Sequence, residues 1–458
     1  MNIYLDGSWL AEGIGATGLR RFSAEMTGAM LDLVAETDPS IARHVFSIGR
    51  PVEPAYRRPG VHYLRVPSGY RAFLWATAVS GRSTLARHLV PTPDALHLHD
   101  AVRFGGEMPG RCVVTLHDLA ALRDPGTYPA RAVWLRRRSL ARLRASRVTV
   151  HAVSEATRAD AIEIGGIAED RVHVVPLGVR AKFFERVPAP VLAEARARWS
   201  LDRPFVLAVG AQHPRKNLSL LIGAFRDVLR TQGHDALLVL AGPGSLTHVD
   251  ALCRREGYDA RERSCVRVLG PVTDAELRIC YQASACFAFP SLYEGFGLPV
   301  LEAMASGTPA LVSDRSSLPE VAGDAGVLLD PTDREAWTQA LVDVLQSSHR
   351  AGAPTRAALH VGERGAPRPL AHGPVAQLSR ACTSSSRPHT SPRPPTRRPE
   401  TSSSGRRSPS RPEGTAWMSC TSSRAPGRSG AWPRAGVRVS PSPIASGAPR
   451  WTSTARAI

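Results

Sequence analysis

Tyr293-Glu294-Gly295-Phe296-Gly297-Leu298-Pro299-Val300-Leu301-Glu302-Ala303-Met304-Ala305 is the stretch that decides how this chain of 458 residues reads. It follows the apolar run Cys286–Phe289 and opens a helical pattern. Pro299 suits a first helical turn, where its missing N–H costs nothing, and Gly307 suits the stop. Two glycines ahead of a helix allow close backbone approach, and free N–H groups at a helix start attract phosphate. Glu294 and Glu302 stand eight positions apart, one in the loop and one in the first turn, placed to hold hydroxyls on either side of such an anion. A glycine pair with a helix-dipole Glu would by itself be a surface loop. The whole string carries more than that.

Working outward, the run before this string is one of a series. Strand-like runs fall at Phe205–Val209, Ala236–Leu240, Val266–Leu269, Cys286–Phe289, Pro309–Val312 and Val327–Leu329. Helical spacing links them: Leu221, Ala224, Phe225, Val228 and Leu229, and later Trp337, Ala340, Leu341, Val344 and Leu345, recur at i, i+3, i+4, i+7, i+8. An earlier series has strands at Ile3–Leu5, Val45–Ile48, Val61–Val66, Ala95–Leu98, Cys112–His117, Val148–Val153 and Val172–Val174. Helical patterns lie near 19–35, 70–88, 131–146 and 154–164. The alternation predicts an α/β chain of two doubly wound, Rossmann-like domains, 1–185 and 201–346, joined by a linker at 186–200 and facing a cleft.

The net charge of +18 invites an anionic partner for the whole molecule, but it is unevenly spread. Residues 347–458 hold 18 Arg, 3 Glu and no Lys or Asp, which gives +15 and leaves +3 for residues 1–346. This last quarter is rich in Arg, Ser and Pro and too poor in apolar residues to offset chain entropy, so disorder is expected. The helical periodicity stops abruptly after Gln346. Two readings stay open: a genuine basic tail, or a reading-frame break in GC-rich DNA, which the two Lys against 56 Arg also suggest. Translating the DNA beyond codon 346 in the other frames separates them.

No apolar run of about 18 residues is present, so no transmembrane helix is expected. The first residues read as a strand and lack the pattern of a signal peptide. The seven Cys are scattered without a CxxC pair and read as small core residues in a reducing compartment. A cytoplasmic protein is expected.

The opening string resembles the E-x7-E signature of retaining GT-B glycosyltransferases of family four, the glycosyl transferases group 1. The resemblance runs over 1–346. Val206-Leu207-Ala208-Val209-Gly210 followed by His213-Pro214-Arg215-Lys216-Asn217 resembles the family's strand, glycine turn and PRKN helix start. His117-Asp118-Leu119 resembles its HDL, and Val153-Ser154-Glu155 and Val172–Val179 resemble the end of its first domain.

The resemblance implies a retaining hexosyltransferase that uses a nucleotide diphosphate sugar as co-substrate, with no cofactor and no metal. The acceptor would be a glycan, a lipid-linked saccharide or a small molecule. Glu294 would hold a sugar hydroxyl, Glu302 the ribose hydroxyls, and Phe296, Gly297 and Leu298 would offer backbone groups to the donor. Arg215 and Lys216 at a helix start oppose the helix dipole, and an anionic diphosphate makes sense of them. Asn217 is expected to cap that helix. His117, at a strand's carboxyl edge, would lie near the sugar through a side-chain or backbone contact; taken alone, a strand-end His is more often structural. Same-face substitution, with the departing phosphate helping to take the acceptor proton, is the mechanism the family implies.

Two departures stand out. The family's glycine-rich turn after the first strand is matched best by Thr17-Gly18-Leu19-Arg20-Arg21-Phe22, which makes Gly18 the donor-side glycine and puts Arg20 where a second glycine belongs. Gly13-Ile14-Gly15 is the alternative register. The second departure is the lack of a closing helix after Gln346, whose loss would expose apolar surface on the first domain and loosen the hinge. A catalytically impaired product, or a basic-tail binder of anionic polymers, is the alternative to an active enzyme. No nucleic-acid partner is expected for the enzyme itself. Finally, 131–147 carries seven Arg around Trp134, Leu135, Leu140 and Leu143. It reads either as a solvated face or as a peripheral contact with the inner face of a membrane.

Overall fold

The structure, a computed structural model, describes residues 1–350 except 15–17, 81–84, 107, 109, 211 and 234. The expectation of a disordered tail falls, from 351 on, outside those residues.

Seven parallel strands form a first sheet: β1 (Asn2–Asp6), β2 (Ala42–Ile48), β3 (His62–Val66), β4 (Ala95–Leu98), β5 (Arg111–Leu116), β6 (Thr149–Ala152) and β7 (Val172–Val174). Six form a second: β8 (Phe205–Val209), β9 (Leu237–Ala241), β10 (Val266–Gly270), β11 (Cys286–Phe289), β12 (Ala310–Ser313) and β13 (Val327–Leu329). The orders are β3-β2-β1-β4-β5-β6-β7 and β10-β9-β8-β11-β12-β13. Each order reverses beside its first strand, between β1 and β4 and between β8 and β11. The loops diverge there and leave a crevice at the carboxyl ends of the strands. This is the GT-B arrangement of two Rossmann-like domains.

The second sheet is apolar almost throughout: every residue of β9, β11 and β12 is buried, as befits parallel strands covered on both faces. The first sheet buries polar groups instead. His151 Nε2 donates to the Val175 carbonyl at 2.9 Å, and its Nδ1 lies 3.1 Å from Thr115 Oγ1, which lies 2.8 Å from His97 Nε2. Burial pushes His151 down to about 4 and His97 well below the usual histidine range, so this row is neutral near neutral pH. At the end of β1 the fully buried Asp6 meets Arg103 at 2.6 Å, and Arg103 lies between the rings of Trp9 and Tyr70. None of the five described cysteines forms a disulfide, and all are buried.

Three local expectations change. The segment 186–200 carries a helix, Ala189–Arg198, whose Ala195 is buried and whose Arg196 donates to the Ala283 carbonyl at 3.1 Å. The helix expected near 70–88 ends at Ser80, followed by a single turn at Ala86–His88. The last helix, Arg334–Arg350, runs one turn past Gln346 and anchors through buried Trp337, Leu341 and Leu345. On the first domain an open, largely apolar hollow of about 650 Å³ lies between the helix Gly18–Thr37 and β1, β4 and β5, bordered by Ile3, Met30, Ala95 and Val113. Among the described residues no helix is long and apolar enough to cross a membrane.

Candidate functional site

The loop after β11 is fixed by two glycines. Gly297 has φ 110°, a left-handed conformation that side chains resist, and it precedes the helix Leu298–Ala305 with Pro299 in its first turn. Gly295 sits so close to the first domain that a Cβ would lie 1.8 Å from the His117 carbonyl oxygen. Its own carbonyl accepts from Ser154 Oγ at 2.6 Å and Thr157 Oγ1 at 3.0 Å. Tyr293 donates its hydroxyl proton to Asp160 at 2.7 Å and accepts from the Leu119 N–H at 3.1 Å. From the other side, Ser317 Oγ donates to the Phe296 carbonyl at 2.8 Å, and Ser316 Oγ accepts from the Glu294 N–H at 2.9 Å. The loop is therefore clamped between the two domains. Among the described residues the N–H groups of Phe296, Gly297 and Leu298 have no acceptor.

The turn after β8 supplies the charge. His213 Nδ1 accepts from the Arg215 N–H at 3.3 Å and starts the turn Pro214–Lys216. Asn217, expected to cap the following helix, does not: it adopts a left-handed φ of 53°, and its Nδ2 donates to the Pro331 carbonyl at 2.7 Å. The tie to β13's loop outcompetes the cap. Lys216 Nζ lies 2.6 Å from Glu294 Oε1, and Arg215 Nη1 lies 2.6 Å from Oε2. Burial alone would raise the Glu294 pKa, but Lys216 and Arg215 outweigh it and hold the carboxyl below its ordinary value. Burial also pulls the Lys216 ammonium below its ordinary value, against the pull of Glu294. Two cations share the Glu294 carboxylate, with Asp118 also lining the cavity, beside three N–H groups that have no acceptor among the described residues.

His117 follows β5, and its Nε2 donates to the His99 carbonyl at 2.8 Å. Burial lowers its pKa, with Asp100 opposing, so the ring is neutral near neutral pH and Nδ1 keeps the lone pair. Phe22 packs edge-on against it at 4.6 Å. Gly18 opens the helix Gly18–Thr37, and a Cβ there would meet nothing within 4 Å. Arg20, which stands where the family's second glycine belongs, pairs with Glu53 inside the first domain. Its neighbour Arg21 reaches across the crevice, to Glu302 at 3.4 Å and Asp274 at 2.6 Å.

Glu302 is buried, and Tyr281 donates its hydroxyl proton to it at 3.2 Å. Burial raises its pKa, with Arg21 and Arg180 opposing. Asp274 is the hub beside it. It pairs with Arg180 at 2.6 Å and Lys182 at 3.0 Å as well as with Arg21. Burial pushes the Asp274 pKa up, but these hydrogen bonds and charges win and hold it well below the usual carboxylate range. A carboxylate with a depressed folded pKa stabilises above its unfolded pKa and loses that contribution as pH falls through the folded value. An Asp274→Asn chain is therefore expected to be less stable than the parent at neutral pH. The gap should close as pH falls below about 4. Urea unfolding at a series of pH values checks this, and a pH-independent gap would contradict it.

A cavity of about 460 Å³ brings together Gly18, His117, Arg215, Lys216, Glu294, Phe296, Gly297 and Leu298. Glu302 stands apart from it, on an adjoining hollow that shares Arg21, Phe22, Leu177 and Leu298 with the first. Sequence reasoning missed Arg21 and Asp274, whose pairing joins segments about 250 positions apart, and Ser316 and Ser317, which carry no motif. It also missed His99, although three His on adjacent strand ends were a visible signal. Among the described residues no group of His, Cys, Asp or Glu side chains could hold a metal ion.

The chain is similar to known glycosyltransferases. Residues 193–360 match the family described as glycosyl transferases group 1, and 34–183 match glycosyltransferase family 4. The chain is 34% identical over 239 residues to O-antigen chain mannosyltransferase B of Escherichia coli, covering 52% of this chain and 61% of that protein. It is 33% identical over 223 residues to D-inositol 3-phosphate glycosyltransferase of Xylanimonas cellulosilytica, covering 46% and 50%. Among solved structures, WaaG, a glycosyltransferase involved in lipopolysaccharide biosynthesis, superposes with a TM-score of 0.60 at 16% identity, over 84% of this chain and 100% of that one. Sucrose-phosphate synthase from Thermosynechococcus elongatus gives 0.61 at 20% identity with the same coverage. At those identities the likeness concerns the fold alone.

Proposed function

The chain belongs to the glycosyl transferases group 1, and from that premise we propose that it moves a sugar from a nucleotide diphosphate sugar to an acceptor hydroxyl with retention of configuration. The observation that carries the reading is the pairing of Lys216 and Arg215 on one carboxylate beside three N–H groups without an acceptor among the described residues, all belonging to residues that line one cavity. Breaking the sugar–oxygen bond leaves its electron pair on the diphosphate. Lys216, Arg215 and the N–H groups at the start of Leu298–Ala305 neutralise that charge as it develops. Glu294, held ionised, accepts a hydrogen bond from a hydroxyl of the departing sugar. Glu302, on the adjoining hollow, holds the ribose. His117 offers the Nδ1 lone pair to the sugar. The acceptor oxygen enters on the face the diphosphate leaves, and its proton passes to the released phosphate oxygen. Basic side chains take the place of a metal ion in this scheme.

The chain spans 61% of the length of the O-antigen relative, and that relative is named a mannosyltransferase. A mannosyl donor is accordingly the first to try, with a glycan or lipid-linked saccharide as acceptor. Purified chain incubated with mannosyl nucleotides is expected to release nucleoside diphosphate and to form a product with the donor's anomeric configuration, read by NMR. Inverted product would remove the retaining mechanism, and failure to bind any nucleotide sugar would remove the donor assignment.

A further inference from the structure

The helices Tyr70–Ser80 and Ala130–Ala145 pack side by side on the first domain and present a surface that the transfer chemistry does not use. Trp75 is 47% exposed and Trp134 37%, and their rings stack at 5.2 Å. Val79, one turn beyond Trp75, is 66% exposed. Arg71, Trp75 and Val79 form one stripe at i, i+4, i+8, and Arg131, Trp134 and Arg138 form another at i, i+3, i+7. Arg138 lies over the Trp134 ring at 5.8 Å. Neither helix contains an Asp or Glu. Of the arginines on Ala130–Ala145, only Arg136 is ion-paired among the described residues, to Asp100. Arg131, Arg137, Arg138 and Arg144 are exposed.

We propose that this face docks on an anionic lipid bilayer. Indole rings favour the boundary between headgroups and acyl chains, an exposed valine gains from entering it, and arginine stems lie along it with their charge at the phosphates. An acid-free basic face complements a negative leaflet. A nucleic acid would use the arginines but gains nothing from Val79. The two indoles, stacked on each other with Arg138 over one, leave little ring face for a base. Orientation adds an argument. The helix Ala130–Ala145 begins two residues after Tyr128, whose ring lies 5.0 Å from that of His213 in the turn leading to Lys216. Docking through its first turns would hold the cleft mouth close to the bilayer, where a lipid-linked acceptor resides. The docking itself does not depend on the donor assignment.

The test uses the full chain, because its basic C-terminal quarter could also reach anionic vesicles. Wild type and an Arg131→Ala/Arg138→Ala variant are sedimented with phosphatidylcholine vesicles, with and without about one third phosphatidylglycerol. Wild type should bind only the anionic vesicles. The variant should lose about 25-fold in partition, about fivefold per arginine. In a second arm, brominated acyl chains should quench wild-type fluorescence more than that of a Trp75→Phe/Trp134→Phe variant. Circular dichroism and nucleotide-sugar binding, unchanged in both variants, show that the fold and donor site are intact. Equal vesicle binding by wild type and the arginine variant would assign binding to the C-terminal quarter and overturn the proposal. Equal quenching, preference for a polynucleotide over vesicles, or burial of this face in a dimer would overturn it as well.

Discussion

A Lys216→Ala chain is expected to lose on the order of 10²–10³-fold in turnover, the usual effect of deleting one group that stabilises charge in the transition state. The loss should fall mainly on kcat, because the diphosphate carries more charge after the bond breaks than before it. The fold should survive. Glu294 keeps Arg215 at 2.6 Å, so truncating Lys216 does not strand a buried carboxylate. This separates a functional loss from unfolding, which a removed sole partner would cause. The measurement is donor hydrolysis and transfer at saturating donor, with thermal melting alongside. Undiminished turnover would detach the charge site from the chemistry.

Gly295→Ala is expected to lower turnover by about 10²-fold or more, the scale set by displacing reacting groups by about 1 Å. The added Cβ would stand 1.8 Å from the His117 carbonyl oxygen and 2.9 Å from Asp118 Cβ. The nearer atom is backbone and has no rotamer to change. It belongs to a residue whose ring is already bonded to the His99 carbonyl. The loop must therefore retreat, and Glu294, its neighbour, retreats with it. The Ser154 and Thr157 bonds to the Gly295 carbonyl would lengthen or break. Kinetics with a hydrogen-exchange map of 293–297 distinguishes the outcomes. Parental turnover would mean that the loop's seat does not govern the site.

Much of this was legible in the chain itself because the strands are apolar runs bounded by turns and because the residues proposed to face the donor cluster in short motifs. Lys216 and Glu294 could each be picked out, and only the fold shows that they touch. The helix Ala189–Arg198 escaped because a single residue, Ala195, is buried in it, so it has almost no apolar period. Asn217 misled because capping propensity is local, while the competing Pro331 carbonyl lies 114 residues away. Arg20 and Arg21 are adjacent and chemically alike. Which one reaches the crevice depends on the turn of the helix relative to Glu53 and Asp274, and no spacing rule conveys that.

The carboxylate of Glu320, in the second domain, accepts the N–H groups of Glu155 and Ala156 at 2.9 and 3.1 Å, at the start of a first-domain helix. The loop that carries Glu294 is likewise bonded to both domains. Donor-side geometry and the relative placement of the domains are therefore one thermodynamic variable. Reciprocity follows: a ligand on the first domain that favours this placement strengthens donor binding by the same factor by which the donor strengthens its own. Order of addition would then set the kinetics of assembly, and the final affinity of the ternary complex would be the same by either route.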